Sequence, residues 1–187
     1  MTFRNYLKSM NKYGYILSIL LFAACKSDPE KDLFTQALSS HSKIDFINAV
    51  ADTKTLNALD YMYFYDGGGV SVGDINNDGL SDIYFTANQG ANKLYLNKGN
   101  FVFEDITIKA GVSGHSDWNT GTVMADVNGD GFLDIYVCAV VGIYGFKGHN
   151  ELFINNKNGT FSEQSAKYHL NIQSHSYLGH YKYRLAD

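Results

Sequence analysis

The chain has 187 residues, is 45% hydrophobic and 18% charged, and carries a formal net charge of −4. That length suits one domain or a piece of a larger protein, and the composition excludes a natively disordered chain. The acidic balance excludes the basic footprint of a nucleic-acid binder, while 18 Gly against a single Pro, with 14 Tyr and 12 Phe, favour strands joined by turns.

The first 24 residues read as a secretory signal. Arg4, Lys8 and Lys12 precede the short apolar run YILSILLFAA, residues 15–24, which is too short to span a bilayer comfortably. Met10 offers an alternative start that gives a more compact signal. Cys25 follows directly and resembles the lipidated cysteine of a bacterial lipobox, with Phe22 standing where Leu is usual. The alternative is an ordinary cleaved signal with an incidental cysteine. Acylation at Cys25 would anchor the chain to a membrane. Residues 25–32 hold the polar KSDPEKD stretch and the only proline, Pro29, and read as a tether. Acidic residues so close to a lipidated cysteine resemble surface-export signals of some gram-negative lipoproteins, so outer-membrane, surface-exposed display is expected. Removing residues 1–24 deletes three basic residues and no acid, leaving 12 basic against 19 acidic residues, a net of −7. The other cysteine, Cys138, lies in an apolar run and reads as a small buried hydrophobe rather than half of a disulfide.

Residues 33–63 form a lead-in. KDLFTQALSS suggests a short helix and KIDFINAV a strand. Val70-Ser71-Val72 then reads as a strand, followed by an acidic turn and by the strand 82–86. Residues 93–97 alternate, Lys98-Gly99-Asn100 is a turn, and residues 101–105 close a hairpin. That is four short strands in one unit.

The unit occurs twice. GDINNDGLSDIY at 73–84 matches ADVNGDGFLDIY at 125–136, so Asp126 follows Asp74 by 52 positions. Gly69 faces Gly121 upstream, and downstream NKLYLNKGNFVFED matches NELFINNKNGTFSE at an offset of 58. The difference is a longer loop, residues 139–149. A period of this length with several strands per unit is the spacing of a β-propeller.

Counting Asp74 as position 1 of the acidic turn, side-chain oxygens fall at 1 (Asp74), 3 (Asn76), 5 (Asp78) and 9 (Asp82), with Gly79 at 6. The second copy supplies Asp126, Asn128, Asp130 and Asp134, with Gly131 at 6. Alternating oxygens on a tight loop can converge on Ca²⁺, with the position-7 carbonyls of Leu80 and Phe132 as further donors. Crowded carboxylates repel one another without a cation. Position 12 is Phe85 or Val137, so these are not EF-hands. The competing reading is that Asp, Asn and Gly merely make good turns.

DINNDGLSD and DVNGDGFLD resemble the calcium loops of FG-GAP/VCBS repeats, the blades of integrin α-subunit propellers and of many bacterial surface proteins. The stretch from Phe64 to about Leu170 is similar to the N-terminal propeller of bacterial lipoproteins that end in an ASPIC/UnbV domain. The resemblance implies a calcium-stiffened propeller, usually of seven blades, at the cell surface. Its ligand positions map onto Asp74, Asn76, Asp78 and Asp82, and onto Asp126, Asn128, Asp130 and Asp134, with the carbonyls of Leu80 and Phe132. The expected fold is therefore all-β: a partial propeller of about two four-stranded blades over residues 64–175. Residues 176–187 break the pattern, and Arg184 stands where a third acidic loop was due. This suggests a truncated or frame-shifted product; the alternative is a two-blade protein that pairs with copies of itself.

Other constellations are weak. Gly67-Gly68-Gly69 lacks the GK[ST] of a phosphate loop and suits close strand packing. His115, Ser116 and Asp117 are adjacent in sequence, unlike catalytic triads. The six histidines lack zinc spacing, and Trp118 suits packing between blades better than ligand contact. Tyr144, Phe146 and His149, in the longer loop, are the candidate contacts for a protein or glycan ligand. The leading expectation is a non-catalytic, calcium-binding surface lipoprotein whose propeller serves recognition or adhesion. The alternatives are part of a larger surface enzyme or polysaccharide-handling protein, and a fragment without function.

Overall fold

The computed structural model describes residues 33–171. The chain divides into two compact units, Met1–Gln36 and Ala37–Asp187. Signal peptide, Cys25 and the whole tether lie outside the described residues, as does the atypical tail. All elements below belong to the second unit.

A single helical turn, α1 (Ser39–Ser42), precedes two sheets. The first contains β1 (Val70–Gly73), β2 (Asp82–Phe85), β3 (Lys93–Asn97) and β4 (Phe103–Asp105). A short helix, α2 (Thr107–Ala110), leads to the second, formed by β5 (Asn119–Ala125), β6 (Asp134–Ala139), β7 (Glu151–Asn155) and β8 (Phe161–Glu163). Each is a four-stranded antiparallel meander in sequence order. Equivalent residues pair identically: Tyr84 faces Leu94 in the first sheet and Tyr136 faces Leu152 in the second. These are two propeller-type blades, as the repeat predicted.

Period-two alternation places one face of each sheet in a shared core. Tyr84, Leu94, Ile106 and Val112 meet Ile135, Val137 and Phe153 there. The Tyr84 hydroxyl satisfies itself on the Val112 carbonyl at 2.7 Å. At the inner edge β1 lies against β5 at backbone distance. A Cβ on Gly69 would fall 2.8 Å from the Thr120 carbonyl oxygen and 3.0 Å from Gly121 Cα, so glycine is required by space. Thr86 Oγ1 donates to the same Thr120 carbonyl and receives Gly69 N–H at 2.6 Å.

Three sequence expectations are corrected. Residues 33–38 are not helical; only Ser39–Ser42 forms a turn. Residues 43–50 form no strand. They cross over the first sheet and attach through side chains. Phe46 stacks on Phe85 at 4.9 Å, Asp45 accepts from Tyr95 OH at 2.8 Å, and Asn48 exchanges hydrogen bonds with Asn88 at 2.6 and 2.9 Å. Bonded to side chains rather than to a neighbouring backbone, the segment builds no ladder. The last strand of the first blade begins at Phe103, two residues later than expected, because Asn100 and Phe101 both turn with positive φ (53° and 61°).

Candidate functional site

Each acidic loop is the connection from an innermost strand to the next, β1 to β2 or β5 to β6, so both project from the same end of their blades. The loops fold around their own carboxylates. Asp74 accepts from the N–H groups of Asp78 (3.1 Å) and Gly79 (2.7 Å), and Asn76 Oδ1 accepts from the same Asp78 N–H at 3.2 Å. In the second loop Asp126 accepts from Gly129 (2.8 Å), Asp130 (3.0 Å) and Gly131 (2.8 Å), while Asn128 Oδ1 shares the Asp130 N–H at 3.0 Å. Asp78 and Asp130 each receive the N–H two residues on, from Leu80 (2.8 Å) and Phe132 (3.0 Å). Gly79 and Gly131 take φ of +86°, the left-handed bend that position 6 demands.

Burial opposes ionisation of Asp74, but the N–H groups of Gly79, Asp78, Asn76 and Asn77 outweigh it and hold its carboxyl below the usual range. The Gly131 N–H, with those of Asp130, Gly129 and Asn128, does the same for Asp126. Asp82 runs the other way. Burial pushes it up, and the charges of Asp78 and Asp74 add to that, against the N–H groups of Asn97 and Ile75.

Asp82 and Asp134 also have a duty the spacing did not reveal. Both are fully buried. Asp82 accepts from Ile75 N–H (3.0 Å) and Asn97 N–H (2.8 Å), bolting the neck of the loop to the end of β3. Asp134 does the same with Val127 (3.0 Å) and Asn155 (2.8 Å) at the end of β7. The signal was available: Asn97 and Asn155 recur at the offset of 58 that relates the outer strands.

The donor set is all oxygen, the ligand chemistry of a hard cation such as Ca²⁺, and in each loop the position-1 and position-3 oxygens share one backbone N–H. Among the described residues no three His, Cys, Asp or Glu side chains already form a metal cage. In the second loop Lys157 supplies a cation of its own, with Nζ 3.3 Å from Asp130 Oδ2 and 5.3 Å from the Phe132 ring centroid.

Residues 74–137 match the FG-GAP-like repeat. The match runs from the first aspartate of loop 1 into β6, and so spans both acidic loops. Cartilage acidic protein 1 of Xenopus tropicalis is 39% identical over 98 residues, covering 51% of this chain and 14% of the relative. The proteins of the same name from Mus musculus and Homo sapiens are each 42% identical, over 69 and 72 residues, covering 11% of each relative. The chain thus spans between 11% and 14% of the curated relatives it matches.

The other candidates fall outside the loops. Phe146 stacks on Trp118 at 5.0 Å, and Tyr144 packs on Tyr61 at 5.5 Å and donates to the Asp60 carbonyl. Both therefore join the aromatic cluster of Tyr61, Phe64 and Trp118 that secures the lead-in. Trp118 is 1% exposed, a packing residue as expected. His149 contributes its backbone to Ser116, whose Oγ donates to the His149 carbonyl at 2.7 Å. Ser116, His115 and Asp117 form no triad: His115 Nδ1 bonds Glu151 at 2.9 Å, and Asp117 Oδ2 accepts Lys147 N–H at 2.8 Å. Cys138 is buried, and its thiol is pushed up to about 11 by that burial.

Proposed function

We propose that the protein is a calcium-binding, lipid-anchored surface protein whose FG-GAP-like blades act as a non-catalytic scaffold for recognition or adhesion. The observation that carries this is the duplicated oxygen-rich loop at the same end of two adjacent blades. Asp74, Asn76, Asp78 and the Leu80 carbonyl would hold one ion, and Asp126, Asn128, Asp130 and the Phe132 carbonyl the other. Asp82 and Asp134 close the necks and add negative charge. The ions would neutralise the clustered carboxylates and stiffen the loops, as in extracellular calcium modules. Cys25 would carry the lipid and residues 26–32 the spacing from the membrane. The likeness to the propeller part of ASPIC/UnbV-domain lipoproteins belongs to the same proposal.

Ligand contact would fall at the opposite end of the inner strands. A cavity of about 180 Å³ opens there, lined by Tyr61, Tyr63, Asp66, Gly67 and Trp118 among others. Tyr63 and Tyr65 are 43% and 61% exposed beside it, with Tyr144 nearby at 48%. Exposed tyrosines combine large contact area with little entropy loss, which suits a protein or glycan partner.

Equilibrium dialysis of the full chain against millimolar calcium chloride tests the metal. Two ions per chain should bind, and an Asp78→Asn/Asp130→Asn variant should bind far fewer. Uptake that ignores the double substitution would place the ions elsewhere. Labelling with a radioactive fatty acid tests the anchor: incorporation should vanish in Cys25→Ser, and persistence would refute it.

A further inference from the structure

The two acidic loops touch. Asn77, at position 4 of loop 1, donates from Nδ2 to the Gly131 carbonyl of loop 2 at 3.0 Å. The next N–H along, that of Phe132, is held by Asp130, so this bond pins the peptide between positions 6 and 7 of loop 2. A second bridge comes from the end of β7. Asn155 Nδ2 donates to the Ile75 carbonyl of loop 1 at 2.8 Å and to the Leu133 carbonyl of loop 2 at 3.1 Å. Its N–H meanwhile holds Asp134. The equivalent residue of the first blade, Asn97, reaches Ser81 of its own loop at 2.9 Å.

Resting on the calcium reading above, we infer that the two loops take up their ions cooperatively, each filled loop ordering the other through Asn77 and Asn155. Both bridges require the two loops to be in shape at once. An ion that fixes loop 2 fixes the Gly131 acceptor and thereby lowers the ordering cost left for loop 1. Thermodynamic linkage makes the effect equal in the reverse direction.

The sequence supplies a clean way to cut the first bridge. Position 4 is Asn77 with φ 60° in loop 1 and Gly129 with φ 73° in loop 2. Asn77→Gly keeps the left-handed backbone and deletes only the donor. Neither the Asn77 side chain nor that of Asn155 is among the proposed ligands.

The test is a calorimetric titration of the full chain with calcium chloride, for the wild type, Asn77→Gly, Asp78→Asn and Asp130→Asn. The two aspartate variants report each loop with its neighbour unfilled. The wild type should bind its pair of ions about two- to fivefold more tightly than those two affinities combine to give, the lower range for one exposed hydrogen bond. Asn77→Gly should lower that excess by the share its bond carries, leaving the share of Asn155, yet leave the affinity of loop 1 unchanged in the Asp130→Asn background. Circular dichroism in chelator verifies that Asn77→Gly folds. A wild-type isotherm equal to two independent sites, or one indifferent to Asn77→Gly, overturns the coupling and leaves the calcium reading standing. A wild type that takes up no calcium overturns both.

Discussion

A carboxylate in these loops does one of two jobs, and the distinction has measurable consequences. Asp134 is buried, with one oxygen on Val127 N–H and the other on Asn155 N–H. Asp134→Ala would strand two backbone donors, and leaving a buried donor unmade costs about 1–3 kcal/mol. Urea denaturation in calcium-free buffer should show a loss of that order; no loss would deny Asp134 its structural role. Asp74 and Asp126 sit in their loops with carboxyls held below 3.8 by backbone N–H groups. Their contribution to stability is complete only well above the ordinary carboxylate range and drains away as pH falls through that range toward the lowered folded-state values. Asp82, raised instead, takes up its proton earlier in the folded state and works in the opposite sense. Asp126→Asn should therefore flatten the acid limb of a stability-against-pH curve below 3.8; an unchanged limb would refute this assignment. Lys157 offers a third handle, since its ammonium competes with any metal for Asp130. Both partners are partly exposed, and such pairs are worth about 0.2–1 kcal/mol. Lys157→Met should then raise the calcium affinity of loop 2 by about 1.5- to 5-fold, measured in the Asp78→Asn background. At this scale the loop spacing and its position-6 bend were readable from sequence, because each loop is a local structure. The roles of Asn77, Asn155 and Lys157 were not, because their partners lie 54, 80 and 27 positions away.

Strands were legible for a similar reason. Alternation in DIYF and KLYLN, bounded by Asn, Asp and Gly, fixes their ends to within a residue or two. Where the reading failed, the deciding interactions were distant. The KIDFINAV segment has strand-like composition, yet it docks through Phe46, Asp45 and Asn48 onto side chains of the first blade and its β2–β3 loop. Contact between elements is tight where β1 meets β5. A methyl at Gly69 would stand 2.8–3.0 Å from backbone atoms of Thr120, Gly121 and Thr122, none of which can swing aside. Gly69→Ala should cost about 1–3 kcal/mol, the range for forcing extra volume into a packed site. A lowered melting temperature checks it, with Gly90→Ala, whose added Cβ meets only Ala87 at 3.7 Å, as a comparison expected to change little. Equal effects would mean that the inner strands are looser than this packing implies.

Across the molecule, two meanders share one core, a lead-in covers part of the first sheet, and two acidic loops point from one end. The exposed tyrosines of the 57–66 stretch lie towards the other. On the proposed function, that separation would let metal set rigidity at one end and leave the other to recognition. The repeat was visible because two copies in register state the same chemistry twice; the packing of the longer loop was not, because Phe146 and Tyr144 meet Trp118 and Tyr61, which lie far away in sequence. On the proposed function, calcium in the paired loops would stabilise this fold. The most direct measurement is a thermal melt of the full chain in millimolar calcium and in chelator, beside Asp78→Asn/Asp130→Asn. With affinities of about 10⁻⁴–10⁻³ M, typical of extracellular modules, two sites at about 1 mM calcium add roughly 1–3 kcal/mol, or about 2–12 °C for a unit of this size. A cooperative transition should rise by that amount in the wild type and barely move in the double variant. A wild-type transition at the same temperature in calcium and in chelator would contradict it.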